Sequence, residues 1–207
     1  MKKLGLINLI LLSDYSKIIV TGPPRAGTTI SARIIAHELN YKFIDETMYD
    51  GNNAEKFGFL LWHRRKMVIQ MTAFTRDIHN YYFNQNTAIV LIRRNIQDIL
   101  DSMDNTIKFL ETNIVCGDGL FRGFNRDARK VISKHFNLSE HEILPGGIYK
   151  HFEENMNKEK DYFELEYDCL KNHVLFIEKQ TRRKEFKHIK QVDIDSEYFD
   201  KRGVLVL

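Results

Sequence analysis

The feature that most constrains the fold is a β-branched run that ends in a glycine-rich turn and leads directly into a helical pattern. The run KIIVT at residues 17–21 predicts a buried strand, and the next eight residues are GPPRAGTT. Apolar side chains then recur at helical spacing, which predicts a helix from Thr28 to Leu39. A turn of this kind points backbone N–H groups at an anion, and the helix dipole strengthens the attraction. Residues 22–29 are therefore predicted to form an anion-binding loop.

The rest of the chain alternates between strand and helix patterns. Further strands are predicted at YKFID, MVIQMT, TAIVLIRR and DYFELEYDCL, the last running into a final helix. Other helices are predicted at about 54–65, 76–84, 96–114 and 126–158. This alternation predicts an α/β fold, with a parallel sheet flanked by helices, in one domain spanning residues 1–207. Ligands bind beyond the carboxyl ends of such strands, so the loop is expected to meet residues 45–46, Thr72 and residues 94–95.

Composition bounds the environment and the partners. The chain is 43% hydrophobic with a net charge of +3, which is typical of a soluble globular protein and requires neither a nucleic-acid partner nor a membrane surface. Cys116 and Cys169 are far apart in sequence, so a reducing cytoplasm is expected. The apolar run at residues 4–12 is too short to span a bilayer and lacks a small-residue cleavage site. We expect it to pack as a strand or helix.

The loop lacks the residue that its ATP-binding version requires. That version has a lysine directly after the second glycine, and Thr28 stands at this position. Gly22 and Gly27 permit the turn, Thr28 and Thr29 supply hydroxyl donors, and Arg25 supplies a fixed charge with a planar fork of donors. The loop therefore suits an anion that needs neither a triphosphate nor a metal ion.

A second motif, RRNIQDILDS, follows the fourth strand and carries Arg94 and Ser102. Together with PRAGTT, it resembles the motifs of sulfotransferases that use 3′-phosphoadenosine 5′-phosphosulfate (PAPS). The resemblance implies a P-loop NTPase-like sulfotransferase fold. It also implies that residues 25–29 bind the 5′-phosphosulfate, while Arg94 and Ser102 bind the 3′-phosphate. Two residues depart from the family pattern, since Ala26 replaces the usual serine and Ile96 the usual proline, but neither exchange removes a charge.

The resemblance also suggests a general base. Tyrosylprotein sulfotransferases combine an arginine in the loop with a glutamate after the second strand, and FIDETMYDG brings Asp45 and Glu46 to that place. This implies that Glu46 takes the proton of the acceptor and that Arg25 stabilises the sulfonate. The acidic pair could instead cap a turn. Cytosolic sulfotransferases use a histidine after the third strand, where Thr72 stands here. This leaves His79 as the alternative base, whereas His63 is expected to belong to the solvated basic end of a helix.

The acceptor is expected to be a hydroxyl or amine compound, such as a small molecule or carbohydrate, and residues 114–160 are predicted to roof the crevice beside it. Two alternatives stay open. The stretch IIAHELNYKFIDETMYDG also resembles small-nucleotide kinases, whose loop lysine is replaced here by Thr28. A non-catalytic nucleotide-binding module would keep the donor site without turnover.

Overall fold

The computed structural model describes residues 2–48, 54–62, 66–72, 75, 78–80, 86–102, 145–156 and 162–185. These residues form one sheet of six parallel strands. The strands are β1 (Lys2–Leu4), β2 (Lys17–Thr21), β3 (Lys42–Ile44), β4 (Met67–Gln70), β5 (Thr87–Arg93) and β6 (Tyr162–Glu166). Their order across the sheet is β1-β6-β5-β2-β4-β3. The predicted α/β class with a parallel sheet is confirmed.

Helical segments connect these strands. The described α-helices are α1 (Thr28–Leu39), α2 (Ala54–Trp62), α3 (described over 96–102), α4 (Pro145–Asn155) and α5 (Val174–Glu185). Within the same described ranges, 3-10 segments lie at Leu6–Leu12, Glu46–Met48, Ile78–Asn80 and Tyr167–Leu170. No helix in the described ranges is both long enough and apolar enough to cross a membrane.

The central strands are buried on both faces. Every residue of β2 and β4 is buried, and so is every residue of β5 except Arg93 at its end. Because successive side chains of a strand point to opposite faces, uninterrupted burial means that both faces of the sheet are covered. The β-branched run KIIVT thus lies within the hydrophobic core, and the loop that follows it starts at the end of a fully buried strand.

The N-terminal apolar run was expected to form either a strand or a helix, whereas this part of the chain forms both. Lys2–Leu4 adds a sixth strand beside β6, and the 3-10 segment Leu6–Leu12 follows it. Only part of this apolar run is buried: Leu9 and Leu12 enter the core, whereas Ile7 is 99% exposed. Five strands were predicted, since three residues are too few to show a periodicity of their own.

Two predicted stretches differ from the structure where they are described. Of residues 76–84, the described Ile78–Asn80 forms a 3-10 turn. The fifth predicted strand, β6, does not run straight into α5, because the 3-10 turn Tyr167–Leu170 separates the two. α5 begins only after His173, whose Nδ1 accepts a hydrogen bond from the amide of Leu175 at 3.2 Å. His173 therefore acts as the N-cap of α5.

Candidate anion site at the carboxyl edge of the sheet

The predicted site residues come together because all six strands are parallel. Their carboxyl ends lie at one edge of the sheet, as in other open α/β sheets. The anion loop follows β2, Glu46 follows β3, Thr72 follows β4, Arg94 follows β5 and Tyr167 follows β6. Five segments that are distant in sequence thus meet around the start of α1.

Three residues of the loop have positive φ, the first being Gly22 at 154°. Gly27 has φ of 95° and Arg25 has φ of 71°. Glycine is required at 27 for a second reason, because a Cβ there would lie 2.2 Å from the Tyr167 ring. Non-glycine residues rarely adopt positive φ, so the Arg25 backbone is held by its surroundings.

Arg94 supplies one of the contacts that hold the loop. Its Nη1 donates a hydrogen bond of 3.0 Å to the carbonyl oxygen of Arg25. Its guanidinium stacks over the Tyr167 ring, with Cζ 4.5 Å from the ring centroid. Arg94 Nε is buried and has no hydrogen-bond partner among the described residues, although Asp98 Oδ2 lies 4.0 Å away. A buried donor of this kind is costly unless something accepts from it.

The backbone of Arg94 is fixed in turn by Tyr149 of α4. The Tyr149 hydroxyl donates to the Ile92 carbonyl at 2.9 Å and accepts from the Arg94 amide at 3.3 Å. Burial raises the pKa of Tyr149 to about 12, so the hydroxyl remains protonated at neutral pH. The end of β5 is therefore held in one position before the chain enters α3.

The two sequence motifs touch each other directly. Arg25 Nε donates to Ser102 Oγ at 3.3 Å, which joins the loop to the described end of α3. Arg25, Arg94 and Ser102 thus form one cluster beside the loop.

The first turn of α1 completes the anion cradle. The opening N–H groups of a helix have no acceptor within the helix, and they carry its positive partial charge. Here that turn starts at Thr28 and Thr29, directly after the left-handed Gly27. Ala26 is fully buried, and its amide is already used by the Pro23 carbonyl at 3.0 Å. The candidate anion-binding groups are thus the amides from residue 27 onward together with Arg25.

Glu46 lies across the sheet edge and is tied to the start of α1. Its Oε1 accepts from the Thr72 amide at 3.1 Å, and its Oε2 accepts from Gln70 Nε2 at 2.8 Å. The same Gln70 nitrogen also lies 3.4 Å from Thr28 Oγ1 and 2.6 Å from Thr72 Oγ1. The Gln70 Oε1 accepts from the Glu46 amide at 3.0 Å. A single glutamine therefore orients the carboxylate relative to the first residue of α1.

A separate network of hydroxyl groups supports the beginning of the loop. Thr75 Oγ1 lies 2.8 Å from Thr21 Oγ1, 2.9 Å from the carbonyl oxygen of Gly22 and 2.7 Å from that of Thr72, so its single proton is shared between these two carbonyl acceptors. All of these groups are buried or nearly so, so the hydrogen bonds are shielded from water. They fix the beginning of the loop against the end of β4.

The remaining predicted residues have different positions. Asp45 is 5% exposed, whereas Glu46 is more exposed, so the two neighbouring carboxylates differ in burial as expected of adjacent residues at a strand end. His79 is half-buried on its 3-10 turn, with its ring 5.8 Å from that of His151. His63 lies outside the described residues. Of the predicted roof at residues 114–160, only residues 145–156 are described.

Sequence reasoning missed the residues that position the site rather than form it. These are Gln70, Thr75 and Tyr149. One signal was present for Gln70, since a glutamine ends the otherwise apolar strand MVIQ and a polar group inside a buried strand needs partners. Tyr149 carried no comparable signal, because its contact joins segments 57 residues apart.

Comparison with known proteins gives structural likeness only. No protein-family model matches the sequence, and no curated protein matches it significantly. The structure is similar to that of shikimate kinase from Bacteroides thetaiotaomicron, with a TM-score of 0.43 and 14% identity, covering 82% of this chain and 96% of that chain. It is also similar to shikimate kinase from Acinetobacter baumannii in complex with shikimate, with a TM-score of 0.39 and 13% identity, covering 88% of this chain and 99% of that chain. Likeness at this level assigns no activity, and neither structure is a sulfotransferase.

Proposed function

We propose that this protein is a PAPS-dependent sulfotransferase that acts on a hydroxyl or amine acceptor. The observation that carries the proposal is the cluster of Arg25, Arg94 and Ser102 beside the loop, since it joins both motifs of the sequence resemblance at one place. The lack of a loop lysine agrees with a donor that has no triphosphate.

The residues at the loop suit such a donor on physical grounds. The buried Nε of Arg94 has no acceptor among the described residues, and a phosphate oxygen would supply one. The left-handed Arg25 and Gly27 shape a concave turn in front of the first amides of α1. These groups present positive charge and N–H donors without requiring a metal ion.

In the proposed reaction, bound PAPS supplies a sulfonate whose sulfur–oxygen bond to the phosphate breaks as the bond between the acceptor oxygen and sulfur forms. The leaving phosphate keeps the electron pair of the broken bond. Glu46 accepts the proton of the acceptor hydroxyl, and Gln70 with the Thr72 amide holds the carboxylate in place. Arg25 and the opening amides of α1 stabilise the charge that develops on the sulfonate and the leaving phosphate.

The first prediction is that the protein binds 3′-phosphoadenosine 5′-phosphate, the desulfated donor, without magnesium. Titration calorimetry with and without a chelator should give the same affinity, because no group in the proposed site needs a metal ion. ATP with magnesium serves as the comparison ligand. A strict metal requirement, or tighter binding of ATP, would overturn the sulfotransferase proposal.

Phosphoryl transfer is a second candidate, and one feature of the site favours it. The Glu46 carboxylate and the Thr28 hydroxyl share the Gln70 side chain as a partner, so two oxygens of the kind that magnesium prefers lie near the loop. A kinase would still need a cation in place of the loop lysine, and Arg25 is the cation in the loop itself. Magnesium-dependent ATP binding in the same titrations would favour this candidate. Donor binding with no turnover over a broad acceptor panel would instead indicate a nucleotide-binding module.

The second prediction concerns Arg94. Arg94→Ala should weaken binding of 3′-phosphoadenosine 5′-phosphate by roughly tenfold to a hundredfold more than binding of adenosine 5′-phosphate, because a charged hydrogen bond to phosphate contributes about 1.5–3 kcal/mol. The variant also loses the contact to the Arg25 carbonyl, which should affect both nucleotides alike. The ratio of the two losses therefore isolates recognition of the 3′-phosphate. Ser102→Ala should change the ratio in the same direction by less, and equal losses for both nucleotides would exclude this role for Arg94.

A further inference from the structure

A cluster of three potential metal ligands lies away from the anion site, at the opposite end of α1. Glu38 Oε1 is 3.1 Å from His37 Nδ1 and 2.9 Å from His173 Nε2. One ligand atom from each residue lies within 4.8 Å of the other two. His37 and Glu38 belong to the last turn of α1, and His173 is the N-cap of α5.

We propose that His37, Glu38 and His173 form a zinc site that fastens the end of α1 to the start of α5. Two imidazoles and one carboxylate are a ligand set that zinc uses in proteins, with a further position left for water. Ligand atoms about 2.0–2.2 Å from a tetrahedral zinc ion are separated by roughly 3.3 Å. The two separations from Glu38, 3.1 and 2.9 Å, are hydrogen-bond distances, and a zinc ion would replace these bonds with ligand separations a few tenths of an ångström longer.

Burial and charge around the cluster favour a cation. His173 is 6% exposed, whereas His37 and Glu38 are exposed, so one face of the cluster is fixed by protein and the other is open to solvent. The carbonyl end of α1 adds negative partial charge beside the two ligands that it carries.

Zinc binding has to change the hydrogen bonds that His173 makes through its two ring nitrogens. Its Nδ1 accepts from the Leu175 amide, so the proton of the neutral ring is on Nε2, facing Glu38. Zinc at Nε2 displaces that proton, and moving a proton to Nδ1 gives up the 3.2 Å bond to Leu175. Zinc binding at Nε2 therefore costs the bond that caps α5.

The proposal is independent of the sulfotransferase assignment, because no ligand of the cluster belongs to the anion site. It does have a structural link to that site. α1 begins at the loop and ends at His37 and Glu38, while the chain segment leading to His173 begins at Tyr167, which packs on Gly27. A zinc ion here would join the two segments that meet over the loop.

The experiment is titration calorimetry of the chelator-treated full chain with zinc chloride. We expect His37→Ala, Glu38→Gln and His173→Asn each to weaken the tightest zinc binding by at least about tenfold. Asparagine is chosen at 173 because its side chain can still cap the amide of Leu175, so a loss of zinc binding is not a loss of the cap. His151→Ala and Glu154→Gln on α4 are the matched controls and should bind zinc as the unaltered chain does.

A further readout separates the site from incidental binding. Zinc should raise the melting temperature of the unaltered chain and of both controls, but not that of the three ligand variants. Equal zinc affinity in the unaltered chain and all three ligand variants would overturn the proposal, as would a loss confined to the control variants.

Discussion

Replacing Glu46 by glutamine should lower turnover by roughly a hundredfold to ten-thousandfold and leave nucleotide affinity within about twofold, once an acceptor is known. The reason is that the proposed proton acceptor is removed while the size of the side chain is kept. The measurement is turnover of PAPS with that acceptor, accompanied by calorimetry with 3′-phosphoadenosine 5′-phosphate. Asp45→Asn is the neighbouring control and should reduce turnover less, because Asp45 is buried rather than turned to the site.

The Glu46→Gln substitution also changes the hydrogen bonds of the side chain, and a second substitution that restores them is a sharper control. Both partners of the carboxylate, the Thr72 amide and Gln70 Nε2, are donors, whereas glutamine offers only one acceptor. The double variant Glu46→Gln/Gln70→Glu restores an acceptor opposite each donor. It should recover thermal stability without recovering turnover. Recovery of both would show that Glu46 supports the site rather than taking the proton, and His79→Ala would then be the next variant to measure.

Arg25→Gln should lower turnover by roughly a hundredfold to a thousandfold, because a charged donor aimed at the developing negative charge is removed. The change is well matched, since glutamine, like arginine, has a Cβ and meets the same cost at φ of 71°. The backbone carbonyl that Arg94 binds is also retained.

Arg25→Lys tests whether charge alone is sufficient. Lysine keeps the positive charge but loses the planar fork, so an intermediate loss of turnover is expected. Turnover and donor affinity should be measured together for both variants. Unchanged turnover in Arg25→Gln would mean that Arg25 serves only to hold Ser102 and takes no part in sulfonate transfer.

The sequence predicted best those elements whose local pattern and tertiary environment agree. The strand at KIIVT and the helix from Thr28 to Leu39 are confirmed with the same bounds, because the strand is buried on both faces and the helix has a clear apolar stripe. The strand at Lys2–Leu4 could not be predicted, since it is defined by pairing with β6 rather than by its own three residues.

The same distinction holds for the candidate site: the positions of its residues could be predicted, but their contacts could not. Residues that follow strand ends, such as Glu46 and Arg94, could be placed at one edge from the alternation of elements alone. Their actual partners could not. The stacking of Arg94 on Tyr167 and the orientation of Glu46 by Gln70 depend on side-chain contacts between segments 73 and 24 residues apart in sequence.

The pairing of β1 with β6 has a consequence for how the chain folds during synthesis. Lys2 aligns with Phe163, so the first strand emerges from the ribosome about 160 residues before its partner exists. Contacts of such long sequence separation form slowly, and the strand stays unpaired in the meantime. The sheet can grow outward from β2 as its neighbours are made, but the edge strand β1, which is translated before the other described strands, is added last.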